Sequence, residues 1–190
     1  MIKNKKIICL IVAKKKSTGL KNKNILPLAG KPLIYWTFRA AKKSKFIDQI
    51  ILSTDSKLII KIAKKQKVYV PFVRPKKLAR VNSSIYDVIT HAKTNYPLFK
   101  KYDYLILLQP TVPFRSSRHI DSALKKFAST RLESQTTLVS VAKIARKAHW
   151  ILKKINKNYI RLLNNKIKKY VNRQDVEDLY IPNGAIYICK

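Results

Sequence analysis

The sequence predicts an α/β fold in which a mainly parallel sheet is sandwiched by helices. Its predicted strands are continuous apolar runs, such as residues 7–13 and 104–108, and helical segments separate them. Strands that are apolar on both faces are typical of parallel sheets buried between two layers of helices. The first strand also leads through a basic turn into a helix, an arrangement that places phosphate sites in many α/β proteins.

Strands and helices alternate along most of the chain. The predicted strands cover residues 7–13, 49–53, 68–72, 104–108, 137–142 and 185–189. The predicted helices cover residues 33–43, 56–67, 83–94 and 118–127. Pro32 fits the first turn of the first helix, and Asp55 fits the N-cap of the second. We therefore expect a single domain over residues 1–190.

The periodicity changes between residues 149 and 171, where short apolar segments are flanked by Asn and Lys. Short segments of this kind indicate a hairpin or an irregular excursion and not a further strand–helix unit. We therefore expect an inserted hairpin region at residues 143–182.

The chain carries 42 Lys and Arg residues against 9 Asp and Glu residues, a formal net charge of +33. A charge of this size often indicates a protein that binds nucleic acid or an anionic membrane. The lysines, however, are scattered from Lys3 to Lys190 over most polar faces of the predicted helices, with no block of five or more. A compositional bias of the surface and selection for polyanion binding are therefore both open interpretations.

Several classes of protein are disfavoured by what the sequence lacks. No apolar run approaches the roughly 18 residues that span a bilayer, and no cleavage pattern follows the short N-terminal apolar stretch, so we expect a cytoplasmic location. Cys9 and Cys189 lie in apolar runs, and without a CxxC pair they are expected to be buried, reduced thiols. His91, His119 and His149 are isolated from one another, so no Ser-His-Asp arrangement is indicated.

The basic turn after the first strand contains residues suited to bind a polyphosphate. Lys14 and Lys23 supply ammonium groups, Ser17 and Asn24 supply polar side chains, and Gly19 is one of only three glycines. A polyphosphate needs cations and hydrogen-bond donors that offset its charge during phosphoryl transfer. The carboxyl ends of other parallel strands are expected at the same edge of the sheet; these ends are residues 53–56, 71–75 and 109–115.

Seven short segments follow one another in order between residues 7 and 189. They are A-x-x-x-S-x-G-L-x-x-K-N, L-A-G-K-P-L-I, I-I-L-S-T-D-S, V-P-F-V-R-P-x-x-L-A, S-S-I-x-x-V-I-x-H-A, Y-D-Y-L-I-L-L-Q-P-T-x-P-x-R and P-N-G-A-I-Y-I. This ordered set resembles the acylneuraminate cytidylyltransferases, that is, the CMP-sialic acid synthetases and their relatives acting on legionaminic, pseudaminic and similar nine-carbon acids.

The resemblance implies a Rossmann-like fold and an enzyme that uses CTP and a nonulosonic acid. In that family the anomeric hydroxyl of the sugar acid attacks the α-phosphorus of CTP and releases pyrophosphate, with Mg²⁺ as cofactor. The resemblance also implies a homodimer that is built partly through the inserted hairpin region.

The resemblance assigns candidate site residues as well. Lys14 and Lys23 are the expected catalytic cations. The expected nucleotide-binding residues are Lys14, Ser17, Gly19, Lys23, Asn24, Arg74, Ser83 and Ser84. The expected substrate-binding residues on the sugar-acid side are Gln109, Arg115, Asn183 and Tyr187.

The sequence departs from the family pattern at several positions. Lys15 and Lys16 stand where the family has small residues, and Thr18 stands where it has a lysine. Arg80 and Val81 lie in a segment where the family commonly has an aspartate. Family members also continue past the last strand with a D-x-D pair that binds Mg²⁺, so the resemblance implies a C-terminally truncated form without identifiable metal ligands. The alternative is a non-catalytic truncated paralogue, or a basic module that binds nucleotide or nucleic acid.

Overall fold

The computed structural model describes residues 2, 4–17, 19–130, 137–144, 152–154, 160–162 and 178–190. The chain divides into two compact units, one formed by Met1–Ser140 with Gly184–Lys190 and the other by Val141–Asn183. Among the helices of the described ranges, none has the length and apolar character needed to cross a membrane.

The described elements follow the predicted alternation of strands and helices. The strands are β1 (Ile7–Val12), β2 (Pro27–Leu28), β3 (Lys31–Pro32), β4 (Gln49–Ser53), β5 (Tyr104–Leu108), β6 (Thr137–Lys143), β7 (Leu152–Lys154), β8 (Ile160–Leu162) and β9 (Tyr180–Cys189). The helices are α1 (Leu33–Lys42), α2 (Lys57–Lys65), α3 (Ile85–Asn95) and α4 (Ser117–Ser129). Short 3₁₀ turns cover Lys23–Ile25, Lys76–Ala79 and Pro97–Lys101.

The main sheet has five strands in the order β4-β1-β5-β9-β6. Strand β1 is parallel to both of its neighbours, so that Cys9 lies opposite Ile50 of β4 and Ile106 of β5. Strand β9 runs antiparallel to β5, with Ile188 opposite Ile106. The predicted α/β architecture with a mainly parallel sheet is therefore confirmed.

Strand β1 is buried on both faces, which explains its uninterrupted apolar sequence. Its residues Ile7, Cys9 and Ile11 belong to one core cluster, whose other members include Ile34 and Phe38 of α1, Ile59 of α2 and Leu124 of α4. Ile8 and Leu10 point to the opposite face, into a second cluster that includes Ala92 of α3, Tyr96 and Phe99. Helices α1, α2 and α4 thus cover one face of the sheet, and α3 covers the other.

The two cysteines are free thiols, but only one of them is fully buried. Burial raises the pKa of Cys9 to about 12. Cys189 is half-buried near the end of β9, so the prediction of a buried thiol holds for Cys9 and is too strong for Cys189.

Two predictions about the segment after β4 are wrong. Residues 68–72 do not form a strand, because only Tyr69 bridges to Ile51, and Pro71 has no N–H to donate to a ladder. Asp55 is not the N-cap of α2, since Ser56 holds that position and its Oγ accepts the Ile59 N–H at 3.3 Å. Asp55 is thereby free to bind elsewhere.

Acidic side chains hold the amino-terminal edge of the parallel strands together. The Oδ2 atom of Asp48 accepts the backbone N–H of Ile7 at 2.8 Å, just before β4. The Oδ2 atom of Asp103, just before β5, accepts the N–H of Lys6 at 2.8 Å, and its Oδ1 lies 2.9 Å from Lys5 Nζ. The bonds from Lys5 and Lys6 hold the pKa of Asp103 below its usual value.

The second unit contains a short antiparallel pair of strands. Lys153 of β7 lies opposite Arg161 of β8 in the backbone register. Near the ends of the unit, the Lys143 ammonium pairs with the Asp178 carboxylate at 2.6 Å. Much of the predicted hairpin region, including residues 145–151, 163–170 and 171–177, lies outside the described residues. Its boundaries and its role in dimerisation stay predictions.

Candidate active site

A cleft of about 270 Å³ opens at the carboxyl ends of β1 and β5, beside the end of β4. Because these three strands are parallel, the segments that follow them meet at one edge of the sheet. We call this the main cleft; the residues that line it are Val12, Lys14, Ser17, Lys23, Asn24, Arg74, Leu78, Arg80, Ser83, Ile85, Val88, Gln109, Pro110 and Thr111. Seven of the predicted site residues are therefore brought together in one cavity.

The loop that follows β1 is fastened to the end of β4. The N–H of Ala13 donates to the carbonyl of Ser53 at 3.1 Å, and the N–H of Lys15 donates to Asp55 Oδ1 at 2.7 Å. Asn24 Nδ2 donates to the carbonyl of Lys14 at 2.9 Å, which ties the far end of the loop back to its start. These bonds set the position of Lys14 in the main cleft.

Two buried polar atoms of residues that line the main cleft lack hydrogen-bond partners among the described residues. Asn24 is only 4% exposed, yet its Oδ1 has no partner, and the buried Oγ of Ser17 has none either. Leaving a buried polar group unpaired costs about 1–3 kcal/mol, so such groups often mark a place where a ligand binds. Both residues line the main cleft, where a phosphate or hydroxyl group could pair with them.

Arg74 is a buried cation at the base of the main cleft. It is 5% exposed, and its Nε and Nη2 atoms donate to the Oγ and the carbonyl of Ser53 at 3.0 and 2.6 Å. Burial lowers the pKa of Arg74 to about 10, while the nearby Asp55 carboxylate acts in the opposite direction. The guanidinium stays charged at neutral pH and is oriented by the strand end.

The main cleft is strongly cationic. Lys14, Lys23, Arg74 and Arg80 line it, and its described lining includes no carboxylate. Arg80 is exposed and follows the 3₁₀ turn Lys76–Ala79. Arg80 was not predicted to be a site residue. It is, however, one of few arginines in a chain dominated by lysines, and it lies close to Arg74 in the sequence, which could have indicated its role.

The two predicted serines have different positions. Ser83 lines the main cleft, and its Oγ donates to the carbonyl of Lys77 at 2.9 Å. Ser84 is the N-cap of α3, with its Oγ accepting the N–H of Tyr86 at 3.1 Å, and it is not part of the cleft lining. Gly19 is also absent from that lining, and an added Cβ there would meet no neighbouring atom.

Gln109 connects the main cleft to a second cavity, which we call the apolar pocket. This pocket has a volume of about 280 Å³ and is lined by Ile85, Ile89, Leu105, Leu107, Gln109, Thr137, Tyr187, Ile188 and Cys189. Gln109 and Ile85 line both cavities. Gly184 has a φ of +73°, and a Cβ at this position would lie 3.9 Å from Gln109 Oε1, so a glycine keeps the backbone relaxed beside Gln109.

Arg115 lines neither the main cleft nor the apolar pocket, and its guanidinium is hydrogen-bonded to other groups of the protein. It is 4% exposed, and its Nη1 donates to the carbonyls of Gln109 and Ala185 at 3.2 and 2.8 Å. Its Nη2 donates to Thr37 Oγ1 at 2.9 Å. The structure therefore gives Arg115 a role in positioning the Gln109 loop. Asn183 belongs to the second unit, and direct substrate contacts by Arg115 and Asn183 stay predictions.

Neither of the two described histidines, His91 and His119, lines the main cleft. The His91 ring packs edge-on against Phe72 with 4.9 Å between ring centroids. His119 completes a capping box with Ser116 at the start of α4. In the described ranges, no group of three or more His, Cys, Asp or Glu residues could hold a metal ion. The described cleft residues thus do not fit a protein-held Mg²⁺ ion.

The mainly parallel sheet and the cationic main cleft at its carboxyl edge are typical of Rossmann-like proteins that bind phosphate-containing ligands. A family model described as cytidylyltransferase matches residues 8–181, and the chain belongs to this cytidylyltransferase family. The family resemblance deduced from the seven segments is therefore confirmed.

Curated relatives extend this assignment. The chain is 36% identical to the N-acylneuraminate cytidylyltransferase of Escherichia coli O18:K1:H7, over 96% of the chain and 42% of that protein. It is 33% identical to the CMP-N,N'-diacetyllegionaminic acid synthase of Legionella pneumophila, over 96% of the chain and 77% of that protein. The chain thus spans about two fifths of the E. coli relative's length.

Solved structures agree on the fold. The structure of a CMP:2-keto-3-deoxy-manno-octonic acid synthetase complexed with CTP matches with a TM-score of 0.70 and 16% identity, over 96% of this chain and 73% of that one. This similarity confirms the predicted Rossmann-like fold.

Proposed function

We propose that this protein is a cytidylyltransferase that activates a nine-carbon, sialic-acid-like sugar acid with CTP, giving the CMP-sugar and pyrophosphate. The observation that carries the proposal is the main cleft, where four cations and two unpartnered polar atoms surround a cavity whose described lining has no carboxylate. Relatives named for N-acylneuraminate, legionaminic and pseudaminic acid substrates support the same reaction.

The main cleft would hold the nucleotide. The triphosphate needs several cations, and Lys14, Lys23 and Arg80 carry theirs at the cavity surface while Arg74 is fixed below them. Phosphoryl transfer is accelerated mainly by positioning and by neutralising charge on the phosphate oxygens. Lys14 and Lys23 are therefore the proposed catalytic cations of this reaction.

The apolar pocket would hold the sugar acid. It adjoins the main cleft through Gln109 and Ile85, so an acceptor there lies next to the nucleotide. The Gln109 side chain and the Tyr187 side chain supply polar groups on a mostly aliphatic wall, which suits a sugar with acyl and deoxy substituents. Gln109 and Tyr187 are the proposed substrate contacts on this side.

The proposed reaction is a nucleophilic substitution at the α-phosphorus of CTP. The anomeric hydroxyl oxygen of the sugar acid forms a bond to the α-phosphorus of CTP and loses its proton to solvent water. The bond from the α-phosphorus to the bridging oxygen breaks, and pyrophosphate leaves with that oxygen. The described cleft lining offers neither a carboxylate nor a histidine as a base, so the chain's own contribution is charge stabilisation by its cations.

Three further features belong to the proposal. Mg²⁺ is the cofactor that the family implies, but no step is assigned to it because the described residues provide no ligand set. Assembly as a homodimer is also proposed, on the basis of the family resemblance, and a cytoplasmic location is proposed on the basis of the sequence expectation given above.

A pyrophosphate-release assay tests the proposal. The 190-residue chain is mixed with CTP, Mg²⁺ and, in turn, N-acetylneuraminic, legionaminic or pseudaminic acid. We expect release that requires both substrates and falls about a hundredfold in K14Q and in K23Q. K64Q removes the same charge from the exposed face of α2 and serves as the matched control.

The alternative function, a basic module that binds nucleotide or nucleic acid without catalysis, predicts a different result. Such a module would bind single-stranded RNA tightly, with a steep dependence on salt. RNA binding together with no pyrophosphate release and no CTP binding would contradict the cytidylyltransferase proposal.

A further inference from the structure

Arginines and lysines are distributed differently over the surface. The chain has 33 lysines and 9 arginines, and the lysines occur along most of its length. Five arginines have described side chains, and all of them line one of two cavities. Arg74 and Arg80 line the main cleft, whereas Arg39, Arg115 and Arg118 line a separate cavity. Arginine binds phosphate with a planar, two-pronged geometry that lysine cannot provide.

This separate cavity, which we call the arginine pocket, has a volume of about 510 Å³ and lies between α1 and the start of α4. That volume is within the range of pockets that hold one small ligand. Its described lining contains three arginines and no carboxylate. The cavity is therefore suited to an anion, and it is distinct from the main cleft, with which it shares no lining residue.

Several side chains in the wall of the arginine pocket are held in place by contacts within the protein. The Trp36 ring is fixed by a bond from its Nε1 to the carbonyl of Leu28 at 2.9 Å, and the Arg39 guanidinium carbon lies 5.5 Å from its centroid. This cation–π contact holds the Arg39 guanidinium at the cavity wall. Arg115, although 4% exposed, has an Nε atom without a hydrogen-bond partner among the residues that the structure describes.

The start of α4 adds backbone donors to the same cavity. Ser117 and Arg118 occupy the first turn of this 13-residue helix and line the arginine pocket. The His119 N–H of this turn is capped by Ser116 Oγ at 3.4 Å, so the N–H groups of Ser117 and Arg118 are the first-turn donors left to favour a bound phosphate. Next to them, the Phe114 ring is 85% exposed and offers an apolar face.

From these contacts we infer that the arginine pocket is a second ligand site, which binds a nucleoside monophosphate. The phosphate lies between the guanidinium groups of Arg39 and Arg118 and the first turn of α4. The base stacks on Phe114, because an exposed aromatic ring beside arginines is a common platform for nucleobases. Arg115, which lines the same pocket, bonds Gln109 and Thr37 and so links the pocket wall to the loop that lines the main cleft.

Trp36 provides a direct readout of this site. The chain has two tryptophans, so W150F leaves Trp36 as the single fluorescent reporter. In this background, titration with CMP is expected to change Trp36 fluorescence with saturation. R118Q and F114S are each expected to raise the Kd for CMP about tenfold or more. K64Q, which removes one exposed charge from α2, is the matched control and is expected to leave the Kd unchanged.

A second background separates this inference from the proposed catalytic function. In the K14Q/K23Q variant, which disables the main cleft, the Trp36 response to CMP is expected to persist. Loss of the response in K14Q/K23Q, or a response that R118Q and F114S leave unchanged, would overturn the inference. So would binding of oligocytidylate to the arginine pocket without binding of CMP, because the occupant would then be a nucleic acid.

Discussion

The two edges of the parallel sheet carry charged side chains of opposite sign, carboxylates at the amino edge and cations at the carboxyl edge. At the amino edge, Asp48 and Asp103 accept backbone N–H groups of Ile7 and Lys6, each at 2.8 Å. At the carboxyl edge, four cations line the main cleft, and the described lining has no carboxylate. The chain has only 9 acidic residues, so their placement is informative. Asp48 and Asp103 thus supply acceptors to the backbone at the amino edge, whereas the cations of the carboxyl edge line a cavity where a polyanion is proposed to bind.

Asp55 is the acid that belongs to the carboxyl edge. Its Oδ1 accepts the N–H of Lys15 at 2.7 Å, and its charge acts on buried Arg74. Asp55 therefore supports the cation-bearing loop from below without lining the cavity. The comparison of Asp55 with Asp48 gives a matched pair of acids, each bound to the backbone, at opposite edges of one sheet.

The largest expected effect comes from removing the fixed cation of the carboxyl edge. R74M is expected to weaken CTP binding by about a hundredfold, because a charge-assisted contact is lost at a desolvated position. Its free energy of unfolding is expected to fall by only about 1–3 kcal/mol, since the lost bonds to Ser53 are partly offset by removal of a buried charge. Calorimetric titration with CTP and urea unfolding measure the two quantities.

R74K is the control for this change, because it keeps the charge but lacks the planar fork that bonds Ser53. We expect it to lie between the wild type and R74M in CTP affinity. If R74M bound CTP as tightly as the wild type, the carboxyl edge would not be the nucleotide site.

The second prediction compares the removal of one acid from each edge of the sheet. D48A is expected to lower the free energy of unfolding by about 1–3 kcal/mol, because the Ile7 N–H loses its acceptor, and to leave the KM for CTP unchanged. D55A is expected to raise the KM for CTP about fivefold, because the loop that carries Lys14 loses its support, with a smaller effect on stability. Thermal unfolding and steady-state kinetics on both variants test the contrast. Equal effects of the two variants on KM would remove the functional distinction between the edges.

A smaller effect is expected for the exposed cation of the main cleft. R80Q should weaken CTP binding about two- to fivefold, since an exposed charge is screened by solvent. The loss should shrink at high salt, and cytidine binding should not change. A titration series over ionic strength checks this, with K76Q, a change at an exposed lysine outside the cleft lining, as the control. An identical loss for cytidine would show that Arg80 does not act on the phosphates.

The smallest effect concerns pH. Burial, together with the charges of Arg74 and Lys77, lowers the pKa of His91 below its usual value of 6.5. The unfolded state therefore takes up a proton first as the pH falls, so the stability present above pH 6.5 decreases below it. Urea unfolding at several pH values between about 5 and 8 should show this slope, and H91F should reduce it. An unchanged slope in H91F would assign the pH dependence to other groups.

Much of the fold could be predicted because local sequence and burial agree. Strands β4 and β5 were predicted with their observed bounds, and β1 differs by one residue, because an apolar run that is buried on both faces leaves little choice of structure. The segment at residues 68–72 misled the prediction because its apolar residues look like a strand while Pro71 prevents a regular ladder.

The candidate site was only partly predictable. The segments that line the main cleft were recognised by their order, and Lys14, Ser17 and Asn24 lie there together. Arg115 was selected for substrate contact, yet its guanidinium binds three groups of the protein itself. A motif shows that an arginine is present in a loop, but not towards which side of the loop it points.

By itself, the sequence determined the α/β class, the parallel strands and the family, because these depend on apolar periodicity and on the order of short segments. The tertiary structure alone decided which side chains share a cavity. It shows that Asp55 binds the loop after β1 and does not cap α2, and that Arg80 lines the main cleft. It also shows that Arg39 and Arg118 line the same cavity, the arginine pocket. Such groupings join residues about 40 to 80 positions apart, and they depend on strand register and loop path, which no local pattern in the chain specifies.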